Sequence, residues 1–272
     1  MPLLPLGLVD DHINETDHIH ISTEGSIGLA ARYACKKYGR SFTTSFHTRY
    51  PEYVEIHTGI PSRISSRYFR WFHRNSSAVL CTTPAMVDYC NDMGIKNTVV
   101  WSRGVDTSLF KPKSKSRKET IRAVYVGRIS AEKNIEAFLQ IQDENIEKTL
   151  IGDGPQLNDY KWKYPDVNFL GRMNSKQIAE ELPEHDVFAW PSLTDTFGLV
   201  VLEGMASGLP VAAFDNDVNR FIIEDKKSGI LTENNLGKAI VDAFWLDPAN
   251  AVARAETFSW EAATDQFESY LV

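Results

Sequence analysis

Three features are scarce in this chain of 272 residues, and each scarcity narrows what it can be. Cysteine occurs three times, as Cys35, Cys81 and Cys90. Their spacing fits no metal-binding pattern and their odd number leaves a thiol over, so neither a disulfide framework nor a metal site is expected. Cys35 falls on a helical pattern and Cys81 on a strand pattern, which points to reduced core thiols and a cytoplasmic setting. Long apolar runs are missing. The longest, 199–202 and 210–214, fall far short of the roughly 20 residues that span a bilayer. The opening Met-Pro-Leu-Leu-Pro-Leu-Gly-Leu has no basic stretch and breaks into Asp10-Asp11, which argues against a signal peptide. Internal repeats and low-complexity tracts are absent too. What remains, 43% hydrophobic and 24% charged residues, is the composition of a soluble globular protein with room for two modest domains.

The net charge of −7 is unevenly spread. Residues 1–24 carry −5, whereas residues 25–74 carry nine cations against Glu52 and Glu55. Arg63, Arg67, Arg70 and Arg74 recur at helical spacing beside Trp71 and Phe72. Such a face suits lipid headgroups or a phosphorylated acceptor, and it is equally what a solvated helix face looks like. Peripheral contact with the inner face of a membrane is therefore one expectation. A nucleic-acid partner is not expected.

Short apolar runs alternate with helical stretches, the pattern of parallel α/β sheets. In the first part strands are predicted at 18–22, 41–46, 78–82 and 98–101, with helices at 26–38, 62–74 and 84–93. A Lys/Ser-rich segment, 111–118, reads as an exposed linker. Six further strands are predicted at 121–126, 147–151, 166–170, 186–190, 209–213 and 229–232. Helices are predicted near 132–142, 155–162, 175–182, 199–207, 235–246 and 259–271.

Chemistry concentrates in Pro191-Ser-Leu-Thr-Asp-Thr-Phe-Gly-Leu-Val-Val-Leu-Glu-Gly-Met-Ala-Ser-Gly-Leu-Pro210. Asp195 and Glu203 stand eight positions apart across a loop that enters a helix. Such a loop offers free backbone N–H groups, here from Phe197, Gly198, Leu199 and Val200, and the positive end of a dipole, which suits a phosphate. A carboxylate before that end can accept from sugar hydroxyls, and one inside the helix can reach a ribose. Read alone, Asp195 could also be a helix-cap residue and Glu203 a solvated one. Upstream, Val126-Gly-Arg-Ile-Ser-Ala-Glu-Lys-Asn134 leaves the first strand of the second part. Arg128 and Lys133 could converge there on a diphosphate, or Arg128 could form a surface pair with Glu132 or Glu136. Gly152-Asp153-Gly154-Pro155 follows the next strand as a tight turn, and His47 ends a strand of the first part.

Together these segments resemble the family 4 glycosyltransferases, whose donor signature has two acidic residues flanking seven others before a small-residue helix and Gly-x-Pro. His47 in Ser45-Phe-His-Thr-Arg49, with 21–31, looks like the acceptor-side signature of a subgroup that includes GDP-mannose-dependent α-mannosyltransferases and glycolipid glycosyltransferases. The resemblance runs from about residue 18 to the end. It implies a GT-B fold of two Rossmann-like domains, the first incomplete: 1–106 on the acceptor side, 107–258 binding the donor, and 259–272 a helix crossing back. It also implies retaining, metal-independent transfer of a hexose to a lipid or glycan.

By that resemblance the donor is a nucleoside-diphosphate sugar of the GDP-mannose or UDP-glucose type, and no separate cofactor is needed. Gly127, Arg128 and Lys133 would meet its diphosphate, Asp153 would lie near the nucleotide, and Arg172 near the base. Glu203 would bind the ribose, Asp195 the sugar hydroxyls, and His47 the sugar near its anomeric centre. Glu24-Gly25 would lie in the acceptor region. The family's N-terminal Gly-rich loop and about three early strands have no counterpart, so a second chain completing the first domain, or a binding fragment without activity, is the alternative expectation.

Overall fold

The computed structural model describes residues 6–114, 116, 119–193 and 195–272. Residues 1–5 of the stretch read for a signal peptide, Lys115, Arg117 and Lys118 of the expected linker, and Thr194 of the acidic block lie outside them. The chain divides into two compact units, Met1–Ser102 with Ala263–Val272, and Arg103–Ala262. The expected divisions after residues 106 and 258 lie four residues from these boundaries.

The first unit holds α1 (Leu6–Glu15), β1 (His20–Ile21), α2 (Ser26–Tyr38), β2 (Thr43–Phe46), α3 (Tyr50–Thr58), α4 (Ser62–His73), β3 (Val79–Cys81), α5 (Pro84–Asp92) and β4 (Thr98–Val100). Its four strands are parallel, in the order β1-β2-β3-β4. Two helices here depart from expectation. The acidic opening stretch, for which no helix is predicted, forms α1, because Ile13 and Val9 lie one turn apart and pack on Ala34 and Cys35 of α2. The Arg40 guanidinium donates to the α1 end carbonyls of Ile13 (2.9 Å) and Asn14 (3.4 Å). The second addition, α3, begins with a proline in its first turn and stops at Gly59, whose φ is +73°. All three cysteines are free and buried, with the Cys81 and Cys90 sulfurs 3.7 Å apart.

The second unit holds β5 (Ile121–Val126), α6 (Glu136–Leu139), β6 (Ile146–Ile151), α7 (Leu157–Lys163), β7 (Asn168–Gly171), α8 (Ser175–Glu181), β8 (Val187–Trp190), α9 (Leu199–Ala206), β9 (Val211–Phe214), α10 (Asp217–Ile222), β10 (Gly229–Thr232), α11 (Leu236–Phe244) and α12 (Pro248–Glu256). The last helix, α13 (Trp260–Glu268), starts in this unit and ends in the first. The sheet order is β10-β9-β8-β5-β6-β7, all parallel. Numbered within the unit this is 3-2-1-4-5-6, the doubly wound order, so β5 and β8 flank the point where the winding reverses. Burial on both faces explains why β8 is apolar throughout. At the other end of these two strands, Arg122 grips Asp186 through two 2.9 Å bonds. The helix predicted at 132–142 is interrupted: a short 3-10 turn (Ala131–Lys133) precedes Asn134 at φ +52°. Helices α10 and α12 add to the predicted set.

Candidate functional site

Loops leaving the carboxyl ends of β5, β6 and β7 are stitched together by backbone bonds. The amide of Ile129 donates to Asp153 (2.9 Å), Gly127 to Ile151 (3.0 Å), and Gly152 to Gly171 (2.8 Å). That stitching requires a glycine at 152, where an added Cβ would meet the Gly127 carbonyl oxygen at 1.9 Å. The loops border an open cleft of about 620 Å³. Gly127, Arg128, Asp153, Arg172 and Val200 line it, with Met173 and Ile178 on its apolar side. Five of the expected site residues thus share one cavity, and its size suits a nucleotide-sized ligand. The Asp153 carboxylate faces its own loop, accepting from the Gly154 amide at 2.7 Å.

At the winding reversal itself, the loop after β5 meets the loop after β8. Lys133 donates to Asp195 Oδ1 at 2.5 Å, and Asn134 Nδ2 donates to the Pro191 carbonyl at 3.1 Å. Tyr125 and Trp190 stack beneath, centroids 5.8 Å apart, and the Lys133 ammonium lies 5.9 Å from the Trp190 ring centre. Burial, and secondarily the Asp195 and Glu132 charges, push the Tyr125 hydroxyl well above its ordinary pKa, so it stays protonated and donates to the Arg128 carbonyl at 3.1 Å. Two buried polar atoms of the post-β8 loop, Asp195 Oδ2 and Ser192 Oγ, have no hydrogen-bond partner among the described residues. Buried polar atoms are ordinarily satisfied, so this is where a ligand's donors are wanted.

The same loop runs into α9. Gly198 precedes the helix at φ +82°, a left-handed conformation, and supplies no side-chain cap. Leu199 and Val200 therefore begin an uncapped helix whose N-terminal end attracts anions. Phe197 is buried against Phe258 and anchors this entry. One turn further in, the Glu203 carboxyl is largely buried, which raises its pKa to about 7. Serine 130 holds the neighbouring Glu132 carboxylate at 2.6 Å, and that bond lowers its pKa despite partial burial.

Arg128, Lys133, Asp195, Phe197–Val200 and Glu203 thus all lie on the loops and the helix beside β5 and β8. His47 belongs to the first unit, at the end of β2, where Nδ1 lies 3.2 Å from the Thr48 hydroxyl. Glu24 is engaged rather than open: it is buried 3.2 Å from the buried His73, whose other nitrogen meets Thr44 at 2.8 Å. The sequence reading missed Asn134, Tyr125 and Trp190. Only Asn134 carried a signal, as an Asn suited to a left-handed turn directly after Lys133. Among the described residues no group of three or more His, Cys, Asp or Glu could hold a metal ion.

Comparison with known proteins extends this picture. Residues 7–109 match the family model described as Glycosyltransferase Family 4, and residues 120–245 the model described as Glycosyl transferases group 1. The chain is 27% identical to the GDP-mannose-dependent alpha-mannosyltransferase of Mycobacterium tuberculosis (strain CDC 1551 / Oshkosh), over 80% of the chain and 60% of that protein. It is 28% identical to the alpha-monoglucosyldiacylglycerol synthase of Streptococcus pneumoniae (strain ATCC BAA-255 / R6), over 86% of the chain and 60% of that protein. The chain therefore spans less than two thirds of these relatives. The crystal structure of Anabaena Alr3699/HepE in complex with UDP and glucose has the same fold: TM-score 0.76 at 20% identity, covering 97% of this chain and 80% of that one.

Proposed function

From a chain that belongs to the family 4 glycosyltransferases and has the GT-B fold, we propose transfer of a hexose, of the mannose or glucose type, from a nucleoside-diphosphate sugar to a lipid or glycan acceptor. The observation that carries the proposal is the meeting of the Lys133–Asp195 pair with the uncapped start of α9 at the winding reversal, beside the Arg128-lined cavity. In this reading the base lies toward Arg172 and Met173, and the ribose hydroxyls donate to Glu203. Sugar hydroxyls donate to the open Asp195 oxygen. Arg128, Lys133 and the α9 amides hold the diphosphate and stabilise the charge that develops as it leaves. Asp195 is a binding group here rather than a nucleophile. A phosphate oxygen then takes the acceptor's proton, in a transfer that retains configuration. By family resemblance alone, His47 is assigned a role in binding the sugar.

For the acceptor, the proposal rests on the exposed side chains Tyr53, Ile56, Ile60 and Ile64 close in sequence to the exposed Arg63 and Arg67, a mixture suited to an anionic lipid surface. Two measurements test it. Calorimetry should show UDP or GDP binding, stronger for one base, and Arg128→Ala should abolish sugar transfer. Unchanged transfer in that variant would sink the assignment. Nucleotide binding without turnover on any acceptor would instead favour a binding fragment, or one that needs a second chain.

A further inference from the structure

A second cavity, of about 500 Å³, lies wholly within the first unit, between the last turns of α4 and the residues that follow α5. Arg67, Arg70, Arg74 and Lys96 line it, all four exposed and none in an ion pair among the described residues. One wall is Trp71, held in place from behind: the Arg32 guanidinium lies 4.1 Å from its ring centre and donates to the Phe72 and Trp71 carbonyls at 2.8 and 3.1 Å. The Arg70 side chain crosses the floor over Gly94, where an added Cβ would come within 3.2 Å of its Cδ. The position of these cations has an ordinary competing cause, since cations gather at helix ends. Two helix ends supply only about half a negative charge each, which offsets roughly one of the four positive charges. Asp92, the last residue of α5, does not line the cavity.

We propose that this cavity binds a phosphate monoester dianion. Its oxygens would be taken by the three guanidinium groups and the Lys96 ammonium, and its organic remainder would lie against Trp71. The site is separate from the donor cavity and stands whether or not the chain transfers sugar. The phosphate can come from a free metabolite or from a lipid headgroup.

The test follows the backbone amide of Gly94 and the indole N–H of Trp71 by nuclear magnetic resonance in the whole chain. Glycerol 3-phosphate should shift both signals saturably while glycerol does not. The Arg70→Gln/Arg74→Gln variant, its fold checked by thermal melting, should weaken this binding at least about tenfold. A second arm compares phosphatidylcholine vesicles containing phosphatidic acid with charge-matched vesicles containing phosphatidylserine. Saturable shifts from glycerol 3-phosphate alone assign the site to a metabolite. Tighter binding to phosphatidic acid than to phosphatidylserine, lost in the variant, assigns it to a headgroup. The proposal is overturned if neither probe moves the two signals, if the variant binds as well as the parent, or if only undifferentiated vesicle binding is seen.

Discussion

Replacing Glu203 by Gln should make the chain more stable and, with Glu203 on the ribose as proposed, weaken nucleotide binding, both increasingly so as the pH rises. Burial lifts the Glu203 carboxyl from its ordinary 4.5 to about 7. At about 1.4 kcal/mol per pKa unit, the ionised side chain is disfavoured in the folded chain by about 3 kcal/mol. Because the folded value lies above the unfolded one, this group's stabilising contribution is complete below 4.5 and lost as the pH rises through about 7. Gln mimics the protonated acid at every pH. Urea unfolding should therefore show Glu203→Gln gaining about 1 kcal/mol or less at pH 5 and about 3 kcal/mol at pH 8. Ligand binding responds with the opposite sign, since ribose hydroxyls donate best to the carboxylate. Nucleotide affinity of the parent chain should rise by up to about tenfold between pH 6 and pH 8, following the ionised fraction of a group near 7. The variant keeps the nucleotide's own phosphate titration, so the difference between the two profiles isolates Glu203. A stability difference that does not change with pH, or parallel binding profiles, would refute the reasoning.

Two further substitutions probe the loops around this carboxyl. Lys133→Met strands Asp195, whose Oδ2 has no partner among the described residues, and should cost about 1–3 kcal/mol by urea unfolding, most of it recovered in Lys133→Met/Asp195→Asn. Additive costs in that double-mutant cycle would show the pair to be energetically idle. Gly152→Ala forces a Cβ against the Gly127 carbonyl, so it should lower stability by more than about 2 kcal/mol and remove the calorimetric heat of nucleotide binding.

How much of this was legible in the sequence depends on whether the signal was local. The residues proposed for the donor stood out because each segment is contiguous: a strand, a turn, then charged groups at fixed spacing. The central strands of the second unit could be placed because a parallel strand buried on both faces is a continuous apolar run, as in β8, whereas the half-buried edge strand β7 (Asn168–Gly171) carries a weaker signal. Helices without a broad apolar stripe escaped. α3 buries only Pro51, and α12 buries only Ala251 and Ala255, which barely register in a hydrophobic pattern. Their end signals were nevertheless present, Gly59 after α3 and Asp247-Pro248 before α12, where Asp247 accepts from the Ala249 amide at 3.0 Å. What no local pattern could supply was the pairing of Lys133 with Asp195 across 62 positions, or of Glu24 with His73 across 49. Those depend on strand order, which only the folded sheet fixes.

That long-range pairing changes what Lys133 is expected to do. Read from spacing, it was a cation available to a diphosphate; in the structure its ammonium is held by Asp195. Its other two N–H groups can meet a phosphate in place, but a swing toward the phosphate loosens that bond and leaves Asp195 with two unpartnered oxygens in a largely buried setting. A bare nucleoside diphosphate offers no donor to repair this, whereas a sugar attached to it brings hydroxyls to the same place. Phosphate and sugar recognition are therefore coupled through one ion pair. A stranded carboxylate costs about 1–3 kcal/mol, so the parent chain should bind the sugar nucleotide about fivefold to a hundredfold more tightly than the matching diphosphate. In Asp195→Asn the stranding charge is gone and most of that preference should vanish, chiefly because the bare diphosphate binds better. Calorimetry with matched ligands decides it: equal preference in parent and variant would mean that Lys133 never leaves Asp195 and meets the phosphates in place or leaves them to Arg128 and the start of α9.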